Sequence, residues 1–591
     1  MEKARISRSQ KLAGDRQIRR QTAGFGNPAR ANCDLPRIGV FVCHCGNNIG
    51  GVVRVPEVVE YARTLPDVAY AEDHMYSCSE EGLSSIKESI VKHDLNRVIV
   101  ASSTPRTHET LFKNACEEAG LNRYLFEFVN IREHCSWIHS HAPDEATEKA
   151  KTLVRMGVAK ARYLEPQEEC QSDIYPAALV IGGGVAGMTA ALNLANQGFA
   201  VHLVEREAEL GGLLRGVNKV FPTYEDASEF LAPLIEQVEN HPRITAYLRS
   251  EVESVEGFIG HFQVRVTNEH QETEFEVGTV IVATGAQEFK PHGYYGYPML
   301  PNVVTPLELE EMLKKGFEFP QNVVMINCVG ARIAERPYCG RFCCTAALKN
   351  AVLIKERDPR AKVYILQRDV MAYGEHIERH YRRAMELGVR FIRYGLDRPP
   401  EVIGVRRARE VKVFHQLIGK ELTLPADLVV LVTPLVPQPD SEKLSKMLKV
   451  PRGGEGFFLE AHLKLRPIEF ATDGVYLCGS ARYPSNITES VSQAYAASAK
   501  AATPMRQGFV QVEAITAFSD ERLCTGCGTC ALVCPFSAIE LRAGEDGQKS
   551  WVNATQCKGC GSCVAACPNG AMQQRGFTDR QVLSMVEALV S

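Results

Sequence analysis

Hydrophobic positions along the chain change period several times, and each change marks a unit. From Ile38 to about Pro166, unbroken apolar runs (IGVFVC, RVIVASS, YLFEFV) alternate with segments of helical spacing (VPEVVEYARTL, EGLSSIKESIVKH). Buried parallel strands read as continuous apolar runs and the crossovers between them as amphipathic helices, so an α/β domain is expected over 37–166. A longer α/β region covers 167–511. It opens on AALVIGGGVAGMTAALNLANQG and starts a further strand at NVVMINCVG, as two interleaved nucleotide-binding-type folds would. Over 512–575 Cys, Gly and Pro replace the periodic pattern. Residues 576–591, GFTDRQVLSMVEALVS, form a short closing helix with Val582, Leu583, Met585, Val586 and Leu589 at helical spacing, which either caps the core or docks a partner. Residues 1–36 show little periodicity and carry Lys3, Arg5, Arg8, Lys11, Arg16, Arg19, Arg20 and Arg30, a disordered basic arm by expectation.

Composition adjusts this picture in three places. At 591 residues, with 45% hydrophobic and 23% charged, the chain should fold as about four units of roughly 150 residues. A net charge of −4 gives no basic footprint, which argues against nucleic acid as a partner. No apolar stretch reaches 18 residues, and Arg19-Arg20 precedes GFGNPARANCD where a twin-arginine signal needs an apolar run. No membrane span and a cytoplasmic location are therefore expected. The 20 cysteines are too many to be incidental and too dilute for a small disulfide scaffold, so metal or redox chemistry leads.

Cys524, Cys527, Cys530 and Cys534 read C-x2-C-x2-C-x3-C-P, and Cys557, Cys560, Cys563 and Cys567 repeat the run. This is the two-cluster ferredoxin pattern, in which the fourth cysteine of each run crosses to the other cluster. Cys524, Cys527, Cys530 and Cys567 should hold one [4Fe-4S] cluster and Cys557, Cys560, Cys563 and Cys534 the other. Paired zinc knuckles are the alternative.

Gly182-Gly183-Gly184-Val185-Ala186-Gly187 follows the strand AALVI and opens a helix. Gly182 permits the tight turn, Gly184 close approach to a pyrophosphate, and Gly187 close packing of helix on strand. Glu205 ends the next strand 18 residues past Gly187, where a carboxylate can accept hydrogen bonds from a ribose diol. Arg206 follows it, then Gly211-Gly212-Leu213. The run Ala283-Thr284-Gly285 ends TVIVATG, and Gly479-Ser480 follows TDGVYLC. Together these segments resemble the two-dinucleotide flavoproteins of thioredoxin reductase type and imply FAD. That family usually has aspartate where Ser480 stands, so the contacts at that end of the flavin should differ here.

Such flavoproteins carry a second glycine loop for NAD(P)H. Here the inner strand runs instead into Cys328-Val329-Gly330-Ala331-Arg332, then Cys339, Cys343 and Cys344. Four cysteines stand where a pyrophosphate would lie, and a third [4Fe-4S] cluster on Cys328, Cys339, Cys343 and Cys344 is inferred, a redox dithiol at Cys343-Cys344 being the alternative. In the N-terminal domain Cys43 and Cys45 end the first strand, and Cys78 and Cys135 follow later extended segments. Strand ends of α/β folds converge on binding sites, so these four could hold a fourth cluster, with His44 or His134 as substitute ligands; spacing alone equally allows ordinary buried cysteines.

The motifs VFVCHCGNNIGGVV, YSCSEEG, NIREHCSW, NCVGAR, YCGRFCC and ALKNA, ahead of a two-cluster module, closely resemble the A-type flavin component of heterodisulfide reductase over almost the whole chain beyond residue 36. The resemblance implies a thioredoxin-reductase-like flavoprotein core between an N-terminal α/β domain and a C-terminal two-cluster ferredoxin module. It implies a cluster in the N-terminal domain as well, and a lysine approaching the flavin N5. Lys349, five residues after Cys344, matches that lysine, with an electrostatic role toward the reduced flavin; an ordinary exposed helix lysine is the alternative. The function implied is electron distribution, with flavin-based bifurcation as one mode, between ferredoxin and a heterodisulfide or other thiol-type acceptor. The partners implied are heterodisulfide reductase components of B and C type, a hydrogenase, formate or NADH-linked input module, and free ferredoxin. The ferredoxin module that many relatives insert after the Gly211-Gly212 segment is absent. An NAD(P)H:acceptor oxidoreductase resembling the small subunit of glutamate synthase and a non-catalytic assembly scaffold are the alternatives. Cys33, Cys116, Cys170 and Cys478 stay outside every set.

Overall fold

The computed structural model describes residues 35–268, 271–316, 320–544 and 546–591. All but the last two residues of the basic arm, Cys33 included, lie outside them.

The three apolar runs of the first unit become β1 (Ile38–Cys43), β3 (Arg97–Ser102) and β4 (Phe126–Asn130), and an edge strand the apolar pattern did not mark, β2 (Val68–His74), completes a parallel sheet of order β2-β1-β3-β4. The segments of helical spacing become α1 (Val55–Arg63) and α2 (Glu80–Lys92), joined by α3 (Pro105–Glu118) and the long α4 (Pro143–Ala161). Every side chain of β1 is buried, as expected of a strand covered on both faces.

The second unit contains two five-stranded parallel sheets, one nested within the other. The outer sheet orders Val475–Leu477, Thr279–Val282, Ala177–Ile181, Ala200–Val204 and Ile244–Tyr247. Between its strands Thr279–Val282 and Val475–Leu477 the chain builds the inner sheet, ordered Val303–Val304, Leu428–Val432, Asn322–Asn327, Lys362–Gln367 and Arg390–Arg393. The interleaving expected from sequence is thus present. The two crossings between the halves pair with each other, Ala286–Glu288 antiparallel to Leu435–Pro437.

Helix α5 (Val185–Asn196) is buried almost all round, wedged between the outer sheet and the helix Ile487–Gln507; its Ala, Gly and Thr side chains permit that close fit. After α6 (Ala227–Asn240), α7 (Pro306–Lys315) starts on a Thr305/Glu308 capping box with Pro306 in its first turn and stops at left-handed Gly316. Helix α8 (Cys343–Arg357) follows the inner strand Asn322–Asn327 after a loop over 328–342.

An antiparallel pair, Cys170–Asp173 with Phe509–Val512, closes the flavoprotein unit at both ends. The C-terminal module adds the pairs Ala517–Ser519 with Met572–Gln574 and Ile539–Gly544 with Gly547–Val552. The closing helix, Asp579–Val590, lies along α4: Gln581 donates to the Tyr163 carbonyl at 2.8 Å, Ser584 to that of Ala159 at 3.2 Å, and the Lys160 ammonium sits 3.9 Å from the centre of the Phe577 ring. It therefore seals the N-terminal domain, yet Val582, Leu583, Val586 and Leu589 remain exposed. Among the described residues no helix is long and apolar enough to cross a membrane.

Candidate functional site

A single cavity of about 750 Å³ runs between the outer and inner sheets, within the range of small-molecule and cofactor clefts. One end is built by the glycine loop. Gly182 sits at φ +110, and a Cβ there would come within 2.4 Å of the Ala283 carbonyl. A Cβ on Gly184 would meet nothing within 4 Å, because this residue faces the cavity. A Cβ on Gly187 would lie 1.8 Å from the Gly182 carbonyl, so only glycine lets α5 meet its strand. Gly187 and Gly479 stand behind the wall. Val185, Ala186, Glu205, Arg206, Gly211, Gly212, Leu213, Ala283, Thr284, Gly285 and Ser480 line it.

The buried Glu205 carboxylate accepts the Gly183 N–H at 2.6 Å and the Glu207 N–H at 2.8 Å, which fixes it at the mouth of the loop. Removing it (Glu205→Ala) should weaken FAD binding roughly 10- to 100-fold, the range of hydrogen bonds to a charged group; equilibrium dialysis of the reconstituted apoprotein measures this. Ser480 turns its hydroxyl into its own loop, donating to the Ser485 carbonyl at 3.3 Å and accepting the Ser485 N–H at 3.2 Å. The departure from aspartate thus leaves a satisfied hydroxyl where the family has a charge.

The other end belongs to α7 and α8. Lys349 is buried in α8, its side chain only 5% exposed; its Nζ lies 2.6 Å from Glu310 of α7 and donates to the Lys219 carbonyl at 2.8 Å. Burial lowers the Lys349 pKa, and Glu310 opposes that. Lys349 is therefore no ordinary surface lysine. Glu310, Thr433 and Gln438 share the wall and were not foreseen from sequence. No local pattern marks Thr433 and Gln438, since they enter from the chain's return out of the inner sheet. The buried hydroxyls of Thr284 and Thr433 have no hydrogen-bond partner. Open glycines, a fixed acceptor and two orphaned hydroxyls suit a large polar ring system with a dinucleotide tail, and FAD fits.

Cys343 lines the same cavity from the first turn of α8, whose N-terminus has no side-chain cap. Cys328 and Cys344 are buried, and Cys339 is half-buried in the loop. The sulfurs attract donors: the Arg341 N–H reaches Cys339 at 3.3 Å, and Asn327 Nδ2 lies 3.8 Å from Cys344. Burial pushes the Cys328 thiol up to about 11, with Arg332 and Arg368 pulling the other way.

In the C-terminal module Cys524, Cys527, Cys530 and Cys567 line one small cavity, and Cys534, Cys557, Cys560 and Cys563 line a second. The fourth cysteine of each run does cross over. Backbone N–H groups point at these sulfurs: Ser550 to Cys524 at 3.4 Å, Ala538 to Cys534 and Ala517 to Cys557 at 3.3 Å. Burial raises the Cys524 thiol, but Ser550 and the Gly526 N–H outweigh it and bring it to about 7. Among the described residues no three His, Cys, Asp or Glu draw together tightly enough for a single metal ion; the sulfurs ring small spaces instead.

In the N-terminal domain Cys43 accepts the N–H groups of Cys45 and Ser77, both at 3.3 Å, and Cys43 and Cys45 both raise the Cys78 thiol beyond the effect of its burial. These three sulfurs share one neighbourhood, beside the orphaned Ser77 hydroxyl. The buried Cys135 thiol donates to the Ala146 carbonyl at 3.0 Å. His44 is tied to Asp73 at 2.7 Å and His134 is exposed. Cys116 and Cys478, buried with thiols pushed up to about 12, are packing residues.

Residues 176–501 match the pyridine nucleotide-disulphide oxidoreductase family, and residues 516–568 match the 4Fe-4S dicluster domain. The fold and site thus define an oxidoreductase: a flavoprotein core of thioredoxin-reductase-like fold joined to an iron-sulfur module. Over 601 aligned residues the chain is 40% identical to an A-type iron-sulfur component of the CoB--CoM heterodisulfide reductase of Methanopyrus kandleri, spanning 86% of this chain and 91% of that one. It is 39% identical to the A-type component of the H(2):CoB-CoM heterodisulfide,ferredoxin reductase of Methanothermobacter marburgensis, with 86% and 91% covered. It is 35% identical to a protein of Archaeoglobus profundus described as like the heterodisulfide reductase A component, with 94% and 98% covered. The chain belongs to the family of A-type heterodisulfide reductase components. Among solved structures it resembles Lactococcus lactis thioredoxin reductase, with TM-score 0.41 and 19% identity over 56% of this chain and all of that one.

Proposed function

We propose that the protein is the flavin- and iron-sulfur-bearing electron distributor of a heterodisulfide-reductase-type complex, carrying one FAD and four [4Fe-4S] clusters. Bound FAD exchanges electrons in pairs or singly and clusters exchange them one at a time, so together they divide a pair between two routes. The observation that carries this reading is the one cavity with a dinucleotide loop at one end and Cys343 with Lys349 at the other. The α5 N-terminus would take the pyrophosphate, Glu205 would hold the ribose, and the Lys349 ammonium would offset negative charge on a reduced ring.

Cys343, Cys344, Cys328 and Cys339 occupy the place of a nicotinamide site, so electrons reach the ring through sulfur ligands. Relatives named for ferredoxin, formate and F(420)H(2) support components of B and C type and a donor module as partners, and bifurcation as the mode. A spectroelectrochemical titration of anaerobically purified protein tests this: about 16 iron and one FAD per chain are expected, with the second flavin electron leaving at a far lower potential than the first. Two normally ordered flavin potentials would exclude bifurcation, and rapid bleaching of the isolated protein by NADH or NADPH would overturn the assignment of the cysteine site.

A further inference from the structure

The loop over 328–342 is held in an unusual backbone. Cys328, Arg332 and Arg341, none of them glycine, sit in the left-handed region at φ 63, 56 and 61, a conformation that persists only where surroundings impose it. The Arg332 N–H donates to the Tyr338 carbonyl at 3.1 Å, and the Arg368 guanidinium grips the carbonyls of Ala331 at 3.3 Å and Arg332 at 2.9 Å. These restraints fix the backbone from which the Arg332 side chain leaves toward Asp369. Its guanidinium pairs with Asp369 at 2.8 Å, on the Cys344 side of the quartet. The other Asp369 oxygen takes Arg393 at 3.2 Å, and the Asp369 carbonyl lies 3.9 Å from the Cys344 sulfur. Three guanidinium groups, those of Arg332, Arg368 and Arg393, therefore stand against one carboxylate on this side of the quartet.

We propose that Arg332, steered by Asp369, is a positioning residue that raises the reduction potential of the centre on Cys328, Cys339, Cys343 and Cys344, and so decides how readily electrons leave the flavin cavity by that exit. The inference rests on reading the quartet as an iron-sulfur site. Each added electron makes such a centre more negative, and a fixed cation beside its sulfurs stabilises the reduced form more than the oxidised one. Arginine keeps its charge throughout the working pH range, so the bias is constant. The carboxylate of Asp369 offsets part of it.

The test is an EPR-monitored redox titration of the full-length, cluster-loaded protein, with iron assayed in parallel. Arg332→Gln should move this centre to a more negative potential with iron content unchanged, and Arg332→Lys should move it less. Asp369→Asn, which leaves the backbone contact to Cys344 in place, should move it the opposite way. No shift in either variant, or a shift of both in the same direction, overturns the electrostatic role. If Arg332→Gln fails to fold, the sign of the Asp369→Asn shift alone decides. Cys344→Ala separates the underlying reading: losing about four iron sustains the cluster assignment, and keeping all of them defeats it whatever the arginine variants do.

Discussion

Lys349→Met is expected to slow electron passage through the flavin cavity by a factor on the order of 100 or more, the typical cost of removing one preorganised electrostatic donor, while FAD stays bound. The lysine is nearly inaccessible and its Nζ is committed to Glu310 and to the Lys219 carbonyl. Removing it strands a carboxylate that is itself only 4% exposed, which typically costs about 3–5 kcal/mol. The single variant therefore loses stability and flux together. The double variant Lys349→Met/Glu310→Gln separates them: stability should largely return while stopped-flow flavin reduction stays slow, and recovery of flux would show that the ammonium serves only Glu310. The pH dependence has a definite sign. Burial lowers the Lys349 pKa, so its charge is lost as pH rises through that lowered value, below the free-lysine value of about 10.4. Flux should fall across that alkaline range. Fold stability should gain there, because the unfolded chain still binds the proton.

Cys567→Ala should empty the cluster of the first cysteine run, with about four iron lost and the cluster of its own run retained, because its sulfur stands with Cys524, Cys527 and Cys530. Cys534→Ala should empty the other. Iron assay and EPR of the two variants distinguish this crossed pattern from two independent knuckles, in which each substitution would damage its own run. The structural effect should be large as well. The module's buried apolar cluster comprises Ala517, Cys530, Ile539, Cys563 and Met572, two of them proposed ligands. So small a core leans on its inorganic filling, and either variant should melt well below the parent.

What the sequence revealed followed the length scale of each constraint. The glycine loop was legible because Gly182, Gly184 and Gly187 answer to steric demands within one turn, and the ferredoxin runs because cluster geometry dictates their spacing. The nested sheets were legible as apolar runs. Partners drawn from far along the chain were not: Glu310 reaches Lys349 across 39 residues, and Thr433 arrives only after the whole inner sheet has been built. The burial of Lys349 was hidden for the same reason, since α7 covers it. The N-terminal quartet shows the limit from the other side, because strand-end cysteines carry no spacing signature and only the fold shows Cys43 beside the Cys45 and Ser77 N–H groups.

The closing helix on α4 makes the polypeptide a loop in space: its last residues are fastened to its first domain, and Lys558 of the ferredoxin module is tied to Asp473 of the flavoprotein core. Electron tunnelling falls off exponentially with distance, so a molecule whose carriers drifted by a few ångströms would run at erratic rates. Fastened at both ends, the module is held against the rest of the chain rather than tethered by a single linker. In the proposed reading the gaps between its centres are set at folding, which leaves control of the current to a docking partner or to the local field around each centre.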